Sequence, residues 1–111
     1  MQEMTLKEVC KKLGVTRRAV QGYEKAGLVS FSGKNKYGYL LYDEFAIEKI
    51  RIIKKYQDFG FVIREIKELL VASDEIYVDM MKERVATMKK ELERLENNIQ
   101  MAEIYIQERA S

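Results

Sequence analysis

From Asp74 to Ser111 the chain holds no glycine and no proline. Within that span Val78, Met81, Val85, Met88, Leu92, Leu95, Ile99, Ala102 and Ile106 are spaced 3-4-3-4-3-4-3-4. That is the a/d pattern of a coiled coil, and it predicts one unbroken helix. At about 1.5 Å per residue such a helix is roughly 50 Å long. A single apolar stripe cannot bury itself, and the preceding 72 residues are too few to cover it. A second copy of the chain is the economical partner, so these nine residues form the expected dimerisation seam.

The rest of the chain is short and differently charged. With 111 residues in all, there is room for one small domain ahead of the long helix. Residues 1–72 carry 14 Lys/Arg against 9 Asp/Glu, a net +5; residues 73–111 carry 6 against 9, a net −3. Residues 1–42 alone hold 8 basic and 3 acidic residues, again +5. A basic block joined to an acidic helix points to one end that meets a polyanion and another that self-associates, although solvated surface charge gives the same counts. No apolar run approaches the roughly 20 residues that span a bilayer. The start, "MQEMTLKEVC", lacks the basic and apolar regions of a signal peptide. No membrane contact is expected, and a cytoplasmic location is. One cysteine and no histidine exclude a disulfide framework and most zinc sites.

Punctuation along the basic block falls to Gly, Asn, Asp, Ser and Thr. "TLKE" at Thr5–Glu8 reads as a capping box, and Leu6, Val9, Cys10 and Leu13 follow at helical spacing. A first helix is expected over 6–13, stopped by Gly14. Thr16 is placed to cap a second helix over 17–26, ended by Gly27. Two short helices about a glycine-containing turn form a helix-turn-helix pattern. "LVSFSGKNKYGYLLY" then alternates, turns and resumes, which predicts a β-hairpin with strands near 28–31 and 39–42. Asp43 caps a third helix over 44–58, offering Phe45, Ile47, Ile50, Ile53 and Tyr56 to a core. After Gly60 a fourth helix runs over 62–71, with Ile63, Ile66, Leu69 and Leu70 inward and a weak cap at Val62.

These pieces, in this order, resemble the DNA-binding and dimerisation part of the MerR family of transcription regulators. "MTLKEVCKKLGVTRRAVQGYEKAGL" is similar to that family's opening helix-turn-helix, which usually ends in an Arg-Tyr-Tyr-Glu-x-x-Gly-Leu string. "YGYLLY" resembles its wing, usually Gly-Tyr-Arg-x-Tyr, and "FAIEKIRIIKKYQDFGFVIREIKELL" its second helical pair. The heptads resemble its antiparallel dimer helix. Gln21 stands where the family has Arg, Gly22 where it has the first Tyr, and Leu40 where the wing has Arg. The resemblance implies a mainly α fold: a winged helix-turn-helix head over residues 1–72 and a coiled-coil helix over 73–111. It implies a homodimeric transcription regulator on a pseudo-palindromic promoter, distorting double-stranded DNA so that RNA polymerase can engage it.

Within that frame the candidate DNA-binding residues are Thr16, Arg17, Arg18, Gln21, Tyr23, Lys34, Lys36 and Tyr39. Arg17 and Arg18 sit in the first turn of the second helix, where the helix dipole disfavours cations. Guanine edges or phosphates offset that cost; two solvated arginines are the plainer reading. The Thr16 hydroxyl and the adjacent amides suit a phosphate. Gln21, one turn on, suits adenine or simply water. Gly22 either lets a backbone come close, to DNA or to the first helix, or is a tolerated weakness. Tyr23 matches the family position whose hydroxyl meets phosphate, and its ring suits a core. Lys34, Asn35 and Lys36 fall at the wing tip. Tyr37, Tyr39 and Tyr42 are either a base-stacking set or, for some of them, packing under the wing. Lys54, Lys55 and Arg64 suit backbone contacts or a solvated face.

Cys10 reads as a small core residue rather than a reactive thiol. Met81 and Met88 read as seam filling, and Met80 and Met101 flank the seam. No metal site and no cofactor are expected. Without histidine, a glycine-rich phosphate loop or paired carboxylates, no enzyme is expected either. Two other classes share the pattern: a coiled-coil adaptor whose head binds protein, and an excisionase-like architectural DNA bender.

Overall fold

The computed structural model describes residues 3–111. The elements are β1 (Met4–Thr5), α1 (Leu6–Leu13), α2 (Arg17–Lys25), β2 (Gly33–Lys34), β3 (Leu40–Tyr42), α3 (Glu44–Asp58), α4 (Ile63–Val71) and α5 (Asp74–Ala110). The chain divides into two compact units, one ending at Val71 and one spanning Ala72–Ser111.

Capping sets the helix starts of the first unit. The Thr5 hydroxyl accepts from the Glu8 amide at 3.3 Å, and the Thr5 amide donates to Glu8 Oε1 at 2.9 Å, closing the expected box. Thr16 accepts from Ala19 N at 3.0 Å, and Asp43 from Ala46 N at 2.8 Å. Val62 has no side-chain acceptor, but its amide donates to Glu65 Oε1 at 3.0 Å, so the residue at N3 supplies the missing cap. Gly27 (φ 77°) and Gly60 (φ 101°) close the ends of α2 and α3 in the left-handed region. Their amides donate to Glu24 O and Gln57 O, and the following amides to Tyr23 O and Tyr56 O, which is a Schellman motif each time.

The core gathers Leu6 and Val9 from α1, Val15 from the turn, and Val20 and Tyr23 from α2. Tyr42, Ala46, Ile50, Ile53, Phe61, Ile66 and Leu69 complete it with Leu28 and Val29. Cys10 is half-buried and carries a free thiol. Phe45 departs from expectation: it lies outside the core at 77% exposure, and Ala46 takes the inward place. The buried positions 46, 50 and 53 follow a 4-3 spacing that leaves Phe45 a quarter-turn away.

The sheet is three-stranded and antiparallel, in the order β1-β3-β2. Two features differ from the hairpin read in the sequence. The outer strand is Gly33–Lys34 rather than 28–31, because Leu28 and Val29 are both buried in succession, which a pleated strand with one wet face does not allow. The third strand, β1, pairs Met4 with Tyr42 and Thr5 with Leu41. Leu41 thus sits between Thr5 on one side and Gly33 on the other.

The second unit is the helix α5, 37 residues long, with its Ser73 hydroxyl accepting from Ile76 N at 3.3 Å. None of its residues is buried within this chain. Along the seam Val78, Val85, Leu92, Leu95, Ile99 and Ile106 are exposed large apolar side chains. No helix among the described residues is long and apolar enough to cross a membrane.

Candidate nucleic-acid interface

Helix α2 begins with two cations and no acid. Its first turn contains no acidic residue, and neither Arg17 nor Arg18 is in an ion pair among the described residues. Both side chains are exposed, as are those of Thr16 and Gln21. Val20 and Tyr23 turn the opposite face of the helix into the core. The arginines therefore sit at the positive end of a helix dipole with no internal compensation, held outward by the burial of the other face.

Beside them lies a groove of about 570 Å³ with three walls. Thr5, Leu6 and Lys7 come from the start of α1, Arg17 and Gln21 from α2, and Gly38, Tyr39 and Leu40 from the wing. The fold thus brings Arg17, Gln21 and Tyr39 together. Arg18 lies outside the groove lining, as do Lys34 and Lys36, which project from the exposed wing. Lys7 is the residue missed in the sequence. Its signal was weak: one solvated lysine on the polar face of a short helix. Leu40, where the family wing carries Arg, makes an apolar patch in the groove.

The wing tip is ordered by Asn35. Its side-chain Oδ1 accepts from the Tyr37 amide at 2.9 Å and the Tyr39 amide at 3.1 Å. Its backbone amide donates to Tyr39 O at 3.0 Å. Asn35 is thus a turn-former. Tyr37 and Tyr39 are 71% and 63% exposed, whereas Tyr42 is fully buried. Lys36 Nζ lies 5.1 Å from the centre of the Tyr37 ring, within cation–π reach.

Tyr23 packs as its ring suggests. It is 1% exposed, and its hydroxyl donates to Gln57 Oε1 at 2.5 Å. The ring belongs to the core, and the hydroxyl ties α2 to α3. Burial, with the Asp58 charge nearby, raises its pKa above the ordinary tyrosine value. Nor does Gly22 mark a close approach to α1, since a Cβ there would meet nothing within 4 Å. Lys54 Nζ pairs with Asp58 at 2.6 Å, which favours the solvated-face reading for that lysine. Among the described residues no group of three or more His, Cys, Asp or Glu could hold a metal ion.

Two short helices, an outward recognition face and a small sheet carrying a basic wing define a winged helix-turn-helix DNA-binding head. Residues 4–73 match the model of the MerR helix-turn-helix family of regulatory proteins. The chain belongs to the MerR family, and it is a DNA-binding transcription regulator of that type. It is 27% identical over 104 residues to a probable heavy metal-dependent transcriptional regulator of Haemophilus influenzae, covering 87% of this chain and 80% of that protein. It is 31% identical over 67 residues to the mercuric resistance operon regulatory protein of Bacillus cereus, covering 60% and 51%. In fold it is similar to a MerR family regulator from Bacillus cereus, with a TM-score of 0.75, 23% identity, and coverage of 88% and 75%. It is similar also to HiNmlR, a MerR family regulator lacking the sensor domain and solved bound to promoter DNA. That match has a TM-score of 0.71, 16% identity, and coverage of 88% and 79%.

Proposed function

We propose that the chain works as a homodimer on a pseudo-palindromic promoter site in the cytoplasm. Two copies pair antiparallel along Val78, Met81, Val85, Met88, Leu92, Leu95, Ile99, Ala102 and Ile106. The unit ending at Val71 is the DNA-binding domain, and the second unit is the dimerisation helix. In each head Arg17, Arg18 and Gln21 face base edges in the major groove, and Thr16 with the first amides of α2 holds a phosphate. Lys34, Lys36 and Tyr39 of the wing take the flanking backbone, and Lys7 adds a phosphate contact across the groove. The heads distort the duplex, the deformation being offset by these contacts, and RNA polymerase then engages the altered promoter. No catalysis and no cofactor enter the scheme. The metals named for two relatives are not carried over, since one cysteine and no histidine give no soft-ligand set.

The observation that carries this reading is the uncompensated Arg17–Arg18 pair at the N-terminus of α2, beside a groove completed by the wing. Selection of bound duplexes from a random pool tests it. An inverted repeat whose affinity falls steeply with salt is expected. Recovery of no common sequence, or of a site without two-fold symmetry, overturns the proposal. Light scattering on the free protein separates the homodimer from a monomer that pairs only with a foreign helix.

A further inference from the structure

The groove beside Arg17 has three walls, and they are not joined in the same way. The α1 wall and the wing are tied by backbone: Thr5, which caps α1, pairs with Leu41, and Leu41 also pairs with Gly33. The recognition helix has no strand of its own and is fastened by side chains. Tyr42 Oη donates to Glu24 Oε1 at 2.5 Å, and Tyr23 Oη donates to Gln57 Oε1 at 2.5 Å. Glu24 and Tyr23 are neighbours in α2, so their side chains leave the helix about 100° apart. One bond runs to the central strand of the wing sheet, the other to α3. Two bonds in different directions fix both the rotation of α2 about its axis and its distance from the wing.

We propose that the Glu24–Tyr42 hydrogen bond is a positioning contact for sequence recognition, setting the span between the base-reading face of α2 and the wing. Tyr42 is suited to this because its ring is fully buried, so its hydroxyl is a fixed point rather than a mobile one. It ends the strand that starts at Leu40, next to Tyr39 in the groove wall. A shift of α2 against that point moves Arg17 and Gln21 relative to Tyr39, which misplaces base contacts while leaving the charge of the head unchanged. Base-edge hydrogen bonds are sensitive to such a shift, and phosphate attraction is not.

The inference rests on α2 being the base-reading helix, and the experiment keeps the two ideas apart. The full chain is titrated against a duplex selected from a random pool and against a scrambled duplex of equal length, with thermal unfolding measured alongside. Tyr42→Phe and Glu24→Leu remove the bond from either end; Glu24→Gln keeps an acceptor oxygen. The first two are expected to lose about tenfold in affinity for the selected duplex, on the scale of one base contact. Affinity for the scrambled duplex should change less than twofold, and Glu24→Gln should restore most of the discrimination. Equal losses on both duplexes, tracking the fall in melting temperature, overturn the positioning role and make the bond a stability contact. Failure of both bond-removing variants to fold has the same meaning. A wild-type chain that binds both duplexes alike overturns the base-reading assignment itself.

Discussion

Leu92→Asp is the sharpest perturbation of the proposed dimer. Val78 and Ala102, Met81 and Ile99, Val85 and Leu95, and Met88 and Leu92 are each evenly placed about position 90. In an antiparallel pair with that self-complementary register, Leu92 faces Met88 of the other copy, next to the two-fold axis. The side chain is 57% exposed in the single chain. Full burial of a leucine contributes about 1.5–3 kcal/mol, so the share still available is roughly 1–1.5 kcal/mol per copy, or about 2–3 kcal/mol per dimer. Aspartate forfeits that and places one unpaired carboxylate from each copy in the apolar seam, which costs several kcal/mol more. A total of at least about 4 kcal/mol weakens dimerisation roughly a thousandfold. Sedimentation equilibrium over a concentration series reads the change directly, with Glu93→Lys, one position off the seam and exposed, as the control. A Leu92→Asp chain that stays dimeric at the wild-type dissociation constant refutes the register. An equal loss in the Glu93→Lys control refutes the seam.

Other expectations are narrower. Gly22→Ala, with ordinary helical backbone and open space for the Cβ, should stabilise the head by about 0.5–1 kcal/mol in urea unfolding; a large fall in DNA affinity in the same variant would show that DNA occupies that space. Arg18→Ala should cost about 1–3 kcal/mol on the selected duplex and much less on random sequence, whereas Lys36→Ala should act evenly on both; equal losses for Arg18→Ala remove it from base reading. Phe45→Ala should change stability by less than about 0.5 kcal/mol, against about 2–5 kcal/mol for Ile50→Ala in the core. Burial first, and then the hydrogen bond to Glu24, raise the Tyr42 pKa well above its ordinary value of 10.0. The folded state therefore keeps a proton that the unfolded chain sheds, so stability is fully present below about pH 10 and is lost as pH rises beyond it. Tyr42→Phe should blunt that alkaline loss in a pH series of melting curves. Glu8 works in the opposite sense: the Thr5 amide and then the Thr5 hydroxyl hold its carboxyl below the ordinary value. Its contribution to α1 is present at neutral pH and lost as pH falls through the carboxylate range.

The parts of the molecule legible in sequence are those governed by local chemistry. Thr5, Thr16 and Asp43 each cap as their type and position indicate, because a capping side chain needs only residues two or three places on. The family's fold was legible for the same reason, since its signals are short strings in a fixed order. What escaped was non-local. Strand β1 is two residues long and exists only because Tyr42 and Leu41 offer it an edge. Alternation in "LVSF" imitated a strand, yet the turn after Gly27 drives Leu28 and Val29 together into the core. Phe45 read as core by type, but its helix spends the inward face on Ala46, Ile50 and Ile53. At the interface, Arg18 and Gln21 were legible because helix phase turns them away from Val20 and Tyr23, and Arg17 because it opens the helix. The inward turn of the Tyr23 hydroxyl was not, because it depends on Gln57, 34 residues away.

The two units answer to different forces, and in the proposed dimer that separation has a consequence for binding. Every buried hydrophobic residue of the chain lies at or before Leu69, so the head carries its own core and its fold does not wait for a partner. Helix α5 buries none of its 37 residues within the chain, so in the proposed dimer the packing of its apolar seam comes from association. Stability of the head is then set by composition, and occupancy of DNA by concentration. A monomeric head offers one recognition helix, whereas a dimer offers two with no further entropy of association once the first is bound. Under this scheme the affinity for an inverted repeat should rise with protein concentration more steeply than one-to-one binding allows, while the affinity for a half-site should not. If both titrations follow the same simple isotherm, and remain unchanged in Leu92→Asp, the tail contributes nothing to recognition and the coupling between seam and groove is wrong.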